Sequence, residues 1–199
     1  MSQILLLQSS LNGTASRTNQ LMERFLQTRR EQGHQDQVVV RDLTALDLPA
    51  LDSPLFHALR GAEPDNEAIR QAVALSDRLI AELKAADLLL IGAPMYNLNV
   101  PTPLKNWFDL VARARVTFRY TDTYPMGLVE GVNALVFSSR GGVHQGQATD
   151  AVTPYLQSVL GLMGIAEVEF VYAEGMDLHP HGAEQGMREA HARIAGLGR

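Results

Sequence analysis

Cysteine is absent from the 199 residues. Disulfides, thiolate catalysis and Cys-ligated zinc or iron–sulfur centres are excluded with it, so any redox chemistry has to be borrowed from a bound cofactor. An excess of positive charge is missing too. Lys and Arg number 17 against 22 Asp and Glu, a formal charge of -5, which leaves no broad basic field to hold nucleic acid by counterion release. No apolar run approaches the roughly 20 residues that span a bilayer, so no membrane partner is expected. Met1-Ser2-Gln3 leads straight into Ile4–Leu7 without a basic flank or a small-residue cleavage site. The start therefore reads as a strand rather than a secretory signal, and the expected location is cytoplasmic. Repeats and low-complexity tracts are likewise absent.

What is present is the balance of a folded domain, with 46% hydrophobic and 20% charged residues. The length suits one domain over residues 1–199. Five strand-length apolar runs recur along it: Ile4–Leu7, Val38–Val40, Leu88–Ile91, Ala134–Phe137 and Val168–Tyr172. Leu88–Ile91 is continuously apolar, as expected of a parallel strand covered on both faces. Between the runs, Leu21, Met22, Phe25 and Leu26 recur at helical spacing, as do Leu75, Leu79 and Leu83. Further helices read at Thr102–Ala112, Ala151–Met163 and Glu184–Ile194. This alternation predicts an α/β fold, a doubly wound five-stranded parallel sheet with helices on both faces. The stretch Thr44–Asn66, with Pro49, Pro54, Gly61 and Pro64, is long for a connection and reads equally as a binding loop or a solvated insertion.

In such a sheet, ligands bind outside the carboxyl ends of the strands. Three strand ends carry unusual sequence. After the first strand, Ser9 to Asn19 is rich in hydroxyl and amide side chains and runs into a helix, the makings of an anion cradle. It matches neither G-x-G-x-x-G nor G-x-x-x-x-G-K-[ST], which disfavours a dinucleotide or a nucleoside triphosphate and leaves a terminal monophosphate. Donors from Ser10, Ser16, Thr18 and backbone amides at about 1.5–3 kcal/mol each make a dedicated cation unnecessary. A plain helix cap at Thr14 or Ser16 is the competing reading. After the third strand, Met95-Tyr96-Asn97-Leu98 offers apolar and aromatic cover for a flat ring, or simply a packed turn. After the fourth, Ser139-Arg140-Gly141-Gly142 pairs close backbone approach with an arginine suited to a phosphate or a ring carbonyl. His144 beside it is either a proton source or a structural histidine.

Taken together, S-S-x(5)-S-[RQ]-[ST]-N, A-P-M-Y-N and S-R-G-G resemble the FMN-dependent NADH:quinone and azobenzene reductases of bacteria. The likeness extends through Leu104–Ala114, Val116–Thr121, Val152–Leu156 and Ala173-Glu174-Gly175. It implies a flavodoxin-like sandwich that binds FMN and takes electrons from NADH or NADPH. The implied substrates are quinones and aromatic azo compounds. By resemblance, Ser10, Ser16, Arg17 and Thr18 hold the ribityl phosphate, Met95, Tyr96, Asn97 and Leu98 contact the ring and ribityl chain, and Ser139, Arg140, Gly141 and Gly142 line the ring's edge. The resemblance also implies a homodimer with active sites at its interface, Thr44–Asn66 and Phe118–Tyr120 shaping the pocket, with Arg60, Phe118 and Tyr120 against substrate. The family often carries an aromatic where Leu98 and Leu162 stand, so substrate preference is not carried over.

Two rivals remain at this level. A flavodoxin-like electron carrier binds FMN without an organic substrate, and its surface is usually more acidic. A serine hydrolase built from Ser9 or Ser10, His144 and Asp109 lacks a G-x-S-x-G elbow. No metal is expected, since His179 and His181 at i, i+2 suit a solvated turn.

Overall fold

Each of the five apolar runs becomes a strand of one parallel sheet in the computed structural model, which describes residues 1–197. The elements in chain order are β1 (Gln3–Gln8), α1 (Arg17–Glu31), β2 (Gln37–Asp42), α2 (Ser53–Ala58), α3 (Glu67–Ala85), β3 (Leu88–Gly92), α4 (Thr102–Val111), β4 (Phe118–Arg119), β5 (Met126–Gly127), β6 (Asn133–Ser139), α5 (Val152–Met163), β7 (Val168–Ala173) and α6 (Gly182–Leu197). The main sheet runs β2-β1-β3-β6-β7, all parallel. From β1 the chain steps outward to β2, then crosses back to β3, so the strand order reverses between β1 and β3 and opens a crevice there.

Alternate residues of each inner strand serve opposite faces. Ile4 and Leu6 join Leu21, Met22 and Phe25 of α1 and Ala190 and Ile194 of α6. Leu5 and Leu7 join Leu79 and Leu83 of α3, Trp107 and Phe108 of α4, and Leu156 and Leu160 of α5. Double burial explains why the inner runs are continuously apolar. At the edge the rule relaxes, and Val38, Val39 and Val40 of β2 are partly exposed. The apolar face of α4 (Leu104, Trp107, Phe108, Leu110, Val111) is fully buried within the chain, so it packs on the sheet rather than waiting for a partner.

The Thr44–Asn66 connection is less solvated than its composition suggests. Asp52 Oδ1 caps α2 by accepting the Leu55 N–H at 2.9 Å, and Leu48, Leu55 and Leu59 are sunk into the core. The antiparallel pair β4 and β5 was not foreseen, since two-residue strands leave no periodicity to read. Among the described residues, no helix is long and apolar enough to cross a membrane.

The hairpin docks on the end of α5, where two glycines meet backbone to backbone. Gly164 closes α5 with a left-handed φ of 103°, and a Cβ there would lie 2.8 Å from the Val129 carbonyl oxygen. We expect Gly164→Ala to destabilise the protein by roughly 2 kcal/mol or more, from left-handed strain and the overlap together. A thermal melt checks this, and an unchanged midpoint contradicts the packing described.

Candidate functional site

The loops after β1, β3 and β6 are stitched to one another. Ser9 Oγ donates to the Gly92 carbonyl at 2.6 Å. The Tyr96 hydroxyl lies 3.2 Å from Ser10 Oγ and accepts the Leu11 N–H at 3.2 Å. The Met95 N–H donates to the Ser139 carbonyl at 2.9 Å. Loop one is thus tied to loop two through Tyr96, and loop two to loop three through Met95. The three segments singled out in the sequence share one rim beside the β1/β3 reversal.

The first loop folds through a 3-10 turn at Gly13–Ala15 into α1. Ser16 is the N-cap of α1: its Oγ accepts the Asn19 N–H at 3.1 Å and lies 3.1 Å from Thr18 Oγ1. The helix cap is thus Ser16, which belongs to the loop read as a cradle. Ser9, Ser10, Ser16 and Thr18 are buried while Arg17 reaches outward. The amides of Arg17 and Thr18 open the helix, where no intrahelical acceptor exists. Asn19 Oδ1 is buried without a partner among the described residues, so this first turn keeps polar capacity that the protein does not satisfy. Hydroxyls, free amides and the positive end of a helix, with no carboxylate between Ser9 and Asn19, form a donor set that fits a phosphate dianion. Gly92 lets α1 pack closely on the end of β3: a Cβ there would sit 2.7 Å from Met22 Cε and 3.3 Å from Thr18 Oγ1.

In the second loop, Tyr96 and Asn99 exchange both backbone hydrogen bonds, at 2.9 and 3.0 Å. Asn97 and Leu98 between them take positive φ of 49° and 64°, a tight turn of the kind glycine usually supplies. For Leu98 that geometry costs about 1–2 kcal/mol, and it leaves Asn97 and Leu98 exposed at the rim. The surface they present suits the face of a ring.

The third loop departs from expectation at Arg140. Its guanidinium does not face the rim, being only 1% exposed as a residue. Nη1 lies 3.0 Å from Asp150 Oδ2 and 3.2 Å from Glu174 Oε1. Nη2 donates to Thr153 Oγ1 at 2.9 Å, Nε donates to Ser138 Oγ at 3.2 Å, and the group stands 4.6 Å over the Tyr172 ring. Turning outward would strand two carboxylates in a poorly solvated place, a penalty of several kcal/mol. What reaches the rim is backbone. A side chain at Gly142 would come within 2.9 Å of His144 Nε2, and His144 Nδ1 is 2.8 Å from Thr149 Oγ1.

Arg60 and Tyr120 belong to segments outside the three loops. The Arg60 guanidinium sits 3.9 Å over the Phe56 ring, in a recess shared with Leu51, Leu59, Asp109 and Arg113, none of which belongs to the three loops. Phe118 is buried beneath the exposed Tyr120, ring centroids 5.5 Å apart. The hydrolase arrangement does not assemble, because Ser9 is bound to Gly92, Ser10 to Tyr96, and Asp109 to Lys105 at 2.6 Å. Two contributors went unmarked by sequence reasoning. Asp150 and Glu174 carry no local motif, although Glu174 falls within the Ala173-Glu174-Gly175 likeness.

Residues 2–197 match the family model described as the flavodoxin-like fold, which sets the class. Within it, the chain is 66% identical over 197 residues to FMN-dependent NADH:quinone oxidoreductase 4 of Burkholderia lata, covering 99% of each. It is 50% identical over 195 residues to the FMN-dependent NADH:quinone oxidoreductase of Escherichia coli, covering 98% of this chain and 97% of that protein. The chain belongs to the family of FMN-dependent NADH:quinone oxidoreductases. Among solved structures, an azoreductase from Bacillus anthracis str. Sterne superimposes with a TM-score of 0.86 at 28% identity, over 100% of this chain and 99% of that one.

Burial pushes the Asp150 carboxyl up, but hydrogen bonds from Arg140 and Thr153 outweigh it and hold the group below the ordinary carboxylate range. Its contribution to stability is present above the unfolded value, about 3.9, and is lost as the pH falls through the lower folded value. Acid unfolding followed by circular dichroism should therefore show a shallower loss of stability below about pH 4 in Asp150→Asn than in the wild type. Identical acid profiles would contradict the pairing.

Proposed function

We propose that the protein is an FMN-dependent NAD(P)H:quinone reductase that also cleaves aromatic azo bonds to amines, working as a cytoplasmic homodimer. The observation that carries this reading is the pair of cross-loop links, Tyr96 to Ser10 and Met95 to Ser139, which gather a phosphate-suited cradle, a ring-suited surface and a glycine pair at one rim. Family membership and the azoreductase likeness support the same chemistry. The chemistry that bound FMN would supply is two-electron transfer from NADH or NADPH, once for a quinone and twice for scission of an azo bond into two amines.

The residues of this chain have the remaining tasks. Ser10, Ser16 and Thr18, with the amides of Arg17 and Thr18, hold the phosphate. Met95, Tyr96, Asn97 and Leu98 cover the ring and ribityl chain and exclude water. Ser139, Gly141 and Gly142 present backbone groups to the polar edge of the ring, where developing negative charge needs donors. His144, its Nδ1 engaged by Thr149, carries a proton at Nε2 toward that edge. Arg60, Phe118 and Tyr120 belong to segments outside the three loops, and a second copy would bring them to the partner's site. Leu98 and Leu162, aliphatic where the family resemblance allows an aromatic, would leave a softer pocket wall.

Purified protein reconstituted with FMN should be yellow, bleach when NADH is added without oxygen, and recover colour with menadione or an azo dye. Protein that ignores FMN defeats the reading; protein that binds FMN but turns over neither acceptor is an electron carrier instead. Ser10→Ala should raise the FMN dissociation constant about ten- to hundredfold, as loss of a hydrogen bond to a charged group requires. Light scattering during chromatography should give the dimer mass.

A further inference from the structure

Glu174 stands beyond the end of β7, outside the three loops, yet its carboxylate is where the third loop is fastened. Oε1 accepts the backbone N–H groups of His144 and Gln145, each at 2.8 Å, and Arg140 Nη1 at 3.2 Å. Its side chain is 14% exposed. Around this point the carbonyls of Arg140, Gly141 and Gly142 accept the N–H groups of Met176, Asp177 and Gly175 at 2.9–3.0 Å. A side chain at Gly141 would overlap the Asp177 carboxylate. Residues 140–145 thus lie on the 174–177 segment as on a template.

The charge count points to a purpose beyond neutralising Arg140. One guanidinium faces two carboxylates, and Asp150 at 3.0 Å already balances it. The second carboxylate adds an excess negative charge in a poorly solvated place, which is unfavourable unless something else uses it. Two consecutive amides do. Hydrogen bonds to an ionised acceptor are roughly twice as strong as neutral ones, and two of them on one oxygen oblige the chain from Gly142 to Gln145 to wrap around it.

We propose that Glu174 is a positioning residue for cofactor binding: by gathering the amides of His144 and Gln145, it sets Gly141 to His144 in the conformation that receives the ring edge of FMN before the cofactor arrives. The inference rests on the FMN-binding reading above. A loop ordered in advance removes part of the entropy cost of binding. Glu174 itself touches no substrate and acts through the loop.

The test compares Glu174→Ala, Glu174→Gln and Asp150→Asn in flavin-free protein, by hydrogen exchange at the His144 and Gln145 amides and by quenching of FMN fluorescence on titration. Losing charge-assisted bonds should speed exchange at both amides and weaken FMN binding by about tenfold or more in Glu174→Ala. Glu174→Gln, whose amide oxygen still accepts both N–H groups, should recover binding to within about threefold of wild type, a neutral acceptor being weaker than an ionised one. Asp150→Asn removes a carboxylate from Arg140 but not from the loop, so both readouts should stay within about twofold even as the melting point falls. Equal shifts in Glu174→Ala and Asp150→Asn would reduce Glu174 to a structural ion-pair partner and overturn the proposal, as would unchanged exchange at the two amides in Glu174→Ala. If Glu174→Ala does not fold, Glu174→Asp, one methylene short of the amides, carries the same expectations. Failure of wild-type protein to bind FMN would sink the cofactor reading instead, while the exchange contrast, measured without flavin, still decides whether Glu174 orders the loop.

Discussion

A parallel sheet covered by helices on both faces has only its strand ends left with which to meet a ligand. That constraint governs this protein. Leu5, Leu7, Leu89, Leu90 and Ile91 are within 1% of complete burial, so the inner strands serve as packing and the polar work falls to the loops at their carboxyl ends. Because β1 and β3 are neighbours whose chains leave in opposite directions across the sheet, the segments after them are forced apart at the base and have room for a molecule between them.

Two kinds of interaction hold that opening in shape. At the mouth they are neutral, hydroxyl to hydroxyl and amide to carbonyl, each contributing about 0.5–1.5 kcal/mol: Tyr96 with Ser10, Met95 with Ser139. Beneath the third loop they are ionic, with Arg140, Asp150 and Glu174 sharing a buried cluster over Tyr172. The division has a physical logic. A cradle for an anion has to keep carboxylates away, and both acidic groups of this cluster are held inward, occupied by Arg140, Thr153 and the His144 and Gln145 amides. The guanidinium keeps those acids in place, so a phosphate at this rim, as proposed, would be met by hydroxyls, amides and the end of α1.

Much of the architecture was legible in the residues because it rests on local periodicity. Continuous runs such as Leu88–Ile91 signal two-sided burial, and helical spacing at Leu75, Leu79 and Leu83 signals the face turned to the sheet. The hairpin at β4 and β5 escaped because two-residue strands have no period, and α2 escaped because Pro54 and Gly61 outweighed the signal of Leu55 and Ala58. In the site, the stretch after β1 could be read as a hydroxyl-lined entry to a helix from its composition and its place before one. Arg140 could not be read correctly, since the direction of a side chain at a strand end depends on neighbours 10 and 34 positions away, Asp150 and Glu174.

The sequence by itself determined the layer order of helices and strands, the absence of thiol chemistry and the donor character of the first loop, because each is set by residue type and short-range spacing. Only the tertiary structure decided that three distant loops are bound to one rim, that Arg140 faces inward, that Glu174 fastens the glycine loop, and that Arg60 lies in a separate recess. Those outcomes depend on contacts between residues far apart in the chain, and such contacts are set by how the sheet is ordered rather than by any stretch read alone.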